Sequence, residues 1–152
     1  MSLDVSVSAD GVRSPLGRAR IADVARFALR GEGVRHALLS ITLLSARAMA
    51  AMNRRHLEHA GPTDVISFGF ARVERTDPVV GDIYIAPEVA ATNARAAGVP
   101  AREEIARLVI HGVLHVLGHD HPHEDREQSA MWKRQERHLR AALRTLYRER
   151  IR

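Results

Sequence analysis

Hydrophobic and polar residues alternate at the start of the chain. Leu3, Val5 and Val7 are set against Asp4, Ser6 and Ser8, and this period of two predicts a strand over residues 3–8. Asp10-Gly11 supplies a turn. The period then lengthens, with Ile21, Val24, Ala25 and Ala28 at helical spacing, which predicts a helix over about residues 16–29, ended by Gly31 and Gly33. Residues 36–43, rich in Leu, Ile and Thr, read as a second strand. Ser45 is placed to cap a helix reaching about residue 59, and Gly61-Pro62 breaks it. A third strand is expected over residues 65–70, with Val65, Ser67 and Gly69 on one face and Ile66, Phe68 and Phe70 on the other. A polar loop over 72–78 leads to a fourth strand over 79–85. Pro87 and Pro100 each stand where a helix begins. The helix after Pro100 carries Glu103 and Glu104 near the positive end of its dipole and runs through Ile105, Leu108, Val109 and Val113 to about Leu117, with Gly118 as its stop. A last helix over about residues 124–148 is expected to pack through Trp132, Leu139, Leu143 and Leu146. The sum is an α+β fold, a small mixed sheet of about four strands surrounded by about five helices. Strand order does not follow from these periodicities.

The length of 152 residues predicts one domain over residues 1–152, large enough to bury a core. No apolar run is long enough to span a bilayer, and the first ten residues lack the basic segment and apolar stretch of a signal peptide, so a cytoplasmic protein with no membrane partner is expected. The absence of cysteine excludes disulfides and thiolate ligands, so any metal must be held by His, Asp or Glu. A net charge of +5, carried almost wholly by arginine with Lys133 as the only lysine, favours polyanionic partners such as RNA; solubility accounts for such a balance as well.

Five of the nine histidines fall in the stretch His-Gly-Val-Leu-His-Val-Leu-Gly-His-Asp-His-Pro-His beginning at His111. His111 and His115, four apart on a predicted helix, present their imidazoles one turn apart on one face. Gly118 can take the left-handed conformation that turns the chain back, and His121 then falls where a third ligand is needed. This H-x-x-x-H-x-x-G-x-x-H spacing matches the metal site of metzincins, in which three histidines leave positions open for water and substrate. His111, His115 and His121 are therefore the expected ligands of one metal ion, sited on a helix and the following turn. His119 and His123 are expected at the surface or behind the ligands. Asp120 either orients a ligand histidine or caps the next helix. Zinc proteases of this spacing place a general-base Glu directly after the first histidine; here that residue is Gly112, which cannot accept a proton and leaves open space beside the metal. Neutral imidazoles leave the charge of a divalent ion uncompensated, so an anionic phosphodiester suits the site better than a peptide. Three imidazoles also accept nickel, copper or iron.

The run from His111 to His121 resembles the H-G-x-L-H-L-x-G-Y-D-H signature of the YbeY family of bacterial ribosomal RNA maturation endoribonucleases. Pro62-Thr63-Asp64-Val65-Ile66-Ser67-Phe68 is similar to the family's P-T-D-V-L-S-F, and Gly81-Asp82-Ile83-Tyr84-Ile85, followed by Pro87-Glu88, to its G-D-I-x-I strand and next helix; Glu104 and Leu108 match the helix before the histidines. The resemblance covers about residues 35–140. It implies zinc on His111, His115 and His121, and hydrolysis of single-stranded RNA in 16S rRNA 3′-end processing and ribosome quality control. The implied partners are ribosomal RNA, the small ribosomal subunit and its assembly factors. Two positions depart from the pattern. His119 replaces the signature tyrosine. Leu57 stands where the family usually has an arginine thought to bind phosphate, with Asn53 and Pro62 setting the register. Arg54 or Arg55 is the candidate to supply that guanidinium as a catalytic residue.

Lys133, Arg137, Arg140, Arg144 and Arg148 recur at helical spacing as a cationic stripe, partly offset by Glu136 and Glu149, which is either a solvated face or a surface that tracks RNA phosphates. Aromatic residues are few, which argues against readout by base stacking. Asp64 and Ser67 are candidates to line the cleft, with a purely structural role equally open. The rival readings are another zinc hydrolase, with a protease disfavoured by Gly112, and a ribosome-assembly factor whose zinc is structural.

Overall fold

The computed structural model describes residues 1–57, 63–119 and 129–147. In chain order the elements are β1 (Ser2–Ala9), α1 (Arg18–Gly31), β2 (His36–Leu43), α2 (Ala46–Leu57), β3 (Val65–Phe70), β4 (Val79–Ile85), α3 (Pro87–Ala97), α4 (Ala101–Val116) and α5 (Ala130–Leu146). The α+β expectation holds, with four strands and five helices among the described residues. The Gly61-Pro62 break and the predicted start of the last helix near residue 124 lie outside the described residues. Within them, α5 opens at Ser129, whose hydroxyl accepts from the Trp132 N–H at 3.1 Å. Ser45 caps α2 in the same way, accepting from the Ala48 N–H at 3.0 Å. The first helix starts later than its periodicity suggests. Leu16 is buried but belongs to a turn closed by Ser14, whose hydroxyl both donates to the Leu16 carbonyl and accepts from its N–H.

The strands form one sheet in the order β1-β2-β4-β3. β1, β2 and β4 are parallel neighbours, and β3 adds antiparallel to β4 as an edge strand joined to it by a short loop. The register puts Val5, Leu39, Ile41, Ile83 and Ile85 on one face, where α1 and α4 cover them in the main core. The opposite face carries Asp4, Ser6, Leu38, Ser40 and Asp82, and is covered at its β3 side by α2. There Met49 and Met52 pack on Ile66, Phe68, Tyr84 and Ala86. On β3, Ile66 and Phe68 join this cluster, Phe70 is exposed at the strand end, and Ser67 and Gly69 face α4.

The central element is α4. Ten of its residues are buried, from Ile105 to Val116, and it touches α1, α3, α5, β3 and β4. Three glycines let it lie close to the sheet. A Cβ at Gly69 would stand 2.6 Å from the Val116 carbonyl oxygen, one at Gly81 would stand 2.6 Å from Val116 Cγ1, and one at Gly112 would stand 2.8 Å from Ile83 Cγ2. Position 112 therefore faces β4, and the open space beside a metal expected from the sequence is absent there, because the Ile83 side chain fills it.

These contacts differ in how readily they yield. The obstacle at Gly69 is backbone, whereas at Gly112 it is a side chain that can rotate. Gly69→Ala is expected to cost about 1–3 kcal/mol as overpacking. Gly112→Ala should cost less, since alanine regains about 1 kcal/mol of helix propensity. Urea unfolding of the two variants measures the order, and an equal loss at both would show that α4 can shift freely on the sheet.

Candidate metal centre

His111 and His115 emerge one turn apart from the C-terminal half of α4, with ring centroids 4.6 Å apart and planes at 68°. That separation suits two imidazoles sharing one ion at about 2.0–2.1 Å per nitrogen. His111 is only 6% exposed. A buried imidazole needs partners for its polar atoms, and its Nδ1 lies 2.6 Å from Gln135 Oε1 on α5. The direction of this bond follows from the next one. The Gln135 amide nitrogen donates to Glu136 Oε2 at 3.1 Å, which turns the carbonyl oxygen toward His111, so Nδ1 must donate and Nε2 is the basic nitrogen of that ring.

Glu136 is held in turn by Arg107 of α4. The Arg107 Nε donates to Glu136 Oε2 at 2.9 Å, and its other nitrogens bond Glu104 and Glu103. Burial works against the charge of Arg107, but the carboxylates of Glu136 and Glu104 outweigh it and hold the guanidinium more firmly protonated than an exposed arginine. The chain Arg107–Glu136–Gln135–His111 thus ties the ring to two helices at once.

A second cluster stands on the other side of α5. Glu32, which closes α1, is 7% exposed in its side chain and accepts from His119 at 2.9 Å, Arg134 at 2.9 Å and His138 at 2.7 Å. Burial works against its charge, and the bonds from His138, Arg134 and His119 prevail, so its carboxyl titrates below the ordinary glutamate value. Gly31 makes room for this cluster, since a Cβ there would stand 2.6 Å from the His138 ring. His119 follows Gly118, which adopts the left-handed conformation at φ +97° as expected of the turn. Its Nε2 pairs with Glu32 at 2.9 Å.

The remaining sequence-predicted positions separate as follows. His121, His123 and Asp120 lie outside the described residues, as does Arg148. Among the described residues no group of three or more His, Asp or Glu gathers to hold an ion; the structure brings together the first two histidines of the motif. Arg54 and Arg55 are exposed on α2 and make no hydrogen bond or ion pair among the described residues, so no such bond ties either to the histidine pair. Position 57 closes α2, and Asn53 is buried. Asp64 accepts from Asn93 of α3 at 3.1 Å, and Ser67 lies on the α4 side of β3. Lys133, Arg137, Arg140 and Arg144 form the exposed stripe on α5, but Glu136 does not offset it, because its carboxylate is turned into the Arg107 cluster. The inward residues of α5 are Met131, Gln135, Leu139 and Ala142, with Trp132 only half-buried. Gln135 and Glu32 were not visible as site residues in the sequence. A polar residue in register with Met131 and Leu139 on an apolar helix face was the signal for Gln135.

The donor set fits a transition-metal ion: imidazole nitrogens on a rigid helix, with a ring oriented from behind by an amide. Fold and site together define an α+β protein with two neighbouring histidines at the end of its central buried helix. The family model described as endoribonuclease YbeY matches residues 12–142. Endoribonuclease YbeY of Mycolicibacterium paratuberculosis (strain ATCC BAA-968 / K-10) is 40% identical over 146 residues, covering 88% of this chain and 81% of the relative. That of Mycobacterium tuberculosis (strain ATCC 25618 / H37Rv) is 41% identical over 131 residues, 78% of this chain and 74% of the relative. The solution structure of TM1509 from Thermotoga maritima superposes with a TM-score of 0.64 at 20% identity, covering 95% of this chain and 93% of that one, and so shares the fold. The chain belongs to the endoribonuclease YbeY family.

Replacing Gln135 by leucine removes the acceptor of the His111 Nδ1 proton while keeping the volume. Zinc affinity, measured by competition with a chromogenic chelator, is expected to fall about 10–100-fold, as for other residues that orient a ligand histidine. Unchanged affinity would mean that the His111–Gln135 bond serves packing alone.

Proposed function

We propose that this chain is a single-domain, metal-dependent endoribonuclease over residues 1–152, acting in the cytoplasm on single-stranded RNA, in maturation of the 16S rRNA 3′ end and in ribosome quality control. The observation that carries the reading is the His111–His115 pair on a buried helix, its first ring oriented by Gln135, in a chain of the endoribonuclease YbeY family. In this reading His111, His115 and His121 hold one zinc ion. When bound, the ion supplies Lewis-acid polarisation of a phosphoryl oxygen and lowers the pKa of water toward about 7.

The chain's own residues do the rest. Gln135 and Glu136 keep the proton of His111 on Nδ1, so that Nε2 is the ligating atom. The buried α4 and the Arg107 cluster hold the ring in place without reorganisation. Gly112 gives no carboxylate base where a zinc protease has one, and the packing of Ile83 leaves no room for it, which favours a phosphodiester substrate over a peptide. Arg54 or Arg55 serves as the guanidinium that Leu57 does not supply. The small ribosomal subunit and its assembly factors are the partners of this reaction.

The second reading, a ribosome-assembly factor with a structural zinc, is favoured by one feature, Leu57 in place of the family arginine. Purified protein incubated with a labelled single-stranded RNA beside a His115→Ala variant separates the two. Cleavage by the unchanged protein is expected to drop by at least about a hundredfold in the variant, since losing a metal centre removes several kcal/mol of transition-state stabilisation. No cleavage by zinc-loaded protein would support the assembly factor. Changing Arg54 and Arg55 together to alanine should slow cleavage, and an unaltered rate would remove them from the site.

A further inference from the structure

A second polar feature adjoins the histidine helix. Between the end of α1, the start of β2 and the β3–β4 loop lies a cleft of about 450 Å³, lined among others by Glu32, Arg35, His36, Arg72, Arg75 and Asp77. Its volume falls within the range of about 300–1,000 Å³ typical of ligand sites. Its charges are unequally committed. Glu32 already accepts from three cationic or imidazole donors, and the Asp77 carboxylate accepts from the Glu74 N–H at 2.9 Å. Arg35, Arg72 and Arg75, by contrast, form no ion pair among the described residues. Arg72 donates to the Arg75 carbonyl at 3.3 Å, which draws the two guanidinium-bearing residues of the loop together. Three unneutralised guanidinium groups on a concave surface focus a positive field that attracts polyanions.

The cleft is also placed for use with the candidate metal centre. Glu32 lines it and bonds His119, the residue after the turn glycine of the histidine motif. The end of α4 rests on Gly69 and Gly81, at the base of the hairpin whose loop carries Arg72 and Arg75.

We propose that the cleft is a phosphate-binding subsite for RNA, in which Arg35, Arg72 and Arg75 grip backbone phosphates of the single strand on one side of the cleaved bond. It rests on the endoribonuclease reading, and it assigns to this cleft a share of the RNA affinity that the α5 stripe would otherwise supply alone.

Binding of a fluorescein-labelled single-stranded RNA, followed by anisotropy across a salt series in the full-length His115→Ala background, tests it. Changing Arg35, Arg72 and Arg75 to glutamine should weaken binding by about tenfold or more and flatten the logarithmic salt slope by about 2, since each phosphate neutralised on a single strand contributes about 0.7 to that slope. Circular dichroism and the melting temperature of the triple variant confirm that it is folded. A parallel variant with Lys133, Arg137 and Arg140 changed to glutamine provides the comparison. If the cleft variant keeps the parent affinity and slope while the α5 variant loses them, the subsite is wrong and the stripe binds the RNA. If the histidine-intact protein cleaves RNA yet the cleft variant binds unchanged, the subsite fails and the endoribonuclease reading stands. If the histidine-intact protein neither binds nor cleaves RNA, both fall together.

Discussion

A helix buried on nearly every side has little solvent to satisfy polar side chains, and α4 carries His111 into that position. The rest of the structure follows from accommodating this. The helix must approach the sheet closely enough to seal its apolar residues, which the absent side chains of Gly69, Gly81 and Gly112 permit. Its buried imidazole must find a partner, which Gln135 provides. A buried polar group left unpaired costs about 1–3 kcal/mol, so the Gln135 contact matters to the fold.

Helix α5 is the element that links these demands. Its inward face contributes Leu139 and Ala142 to the packing and Gln135 to the histidine. Its two flanks end in separate charge clusters, Glu136 with Arg107 of α4, and Arg134 and His138 with Glu32 of α1. Each cluster pins one side of the helix, so the angle at which α5 presents Gln135 is set from both. Charge pairs of this kind add modestly to stability, but they are directional, and direction is what sets the Gln135 amide against His111. The exposed outer face of α5 is left free to carry cations.

The same division runs through the sheet. One face is committed to α1 and α4, and among the described residues the other is covered where α2 meets β3 and β4. The chemistry gathers at one end of this arrangement, where α4 stops and the β3–β4 loop and the close of α1 come together. Different elements build these adjoining surfaces, the histidines coming from one helix and the arginines from loops.

Much of this was legible along the chain. Period-two and period-3.6 patterns located the strands and most of the helices, Ser45 capped its helix as its residue type suggests, and the spacing of His111, His115 and Gly118 marked a helix with two histidines on one face and a left-handed stop. These are local properties, decided by residues a few positions apart. Strand order, the real task of Gly112 against Ile83, the Gln135 bond across 24 residues and the Glu32–His138 bond across 106 are not local. No periodicity encodes which distant residue a side chain will meet, so only the packed tertiary structure could decide them. The sequence by itself determined that His111 and His115 share one helix face; the fold determined how the first of them is oriented and which charges stand beside it.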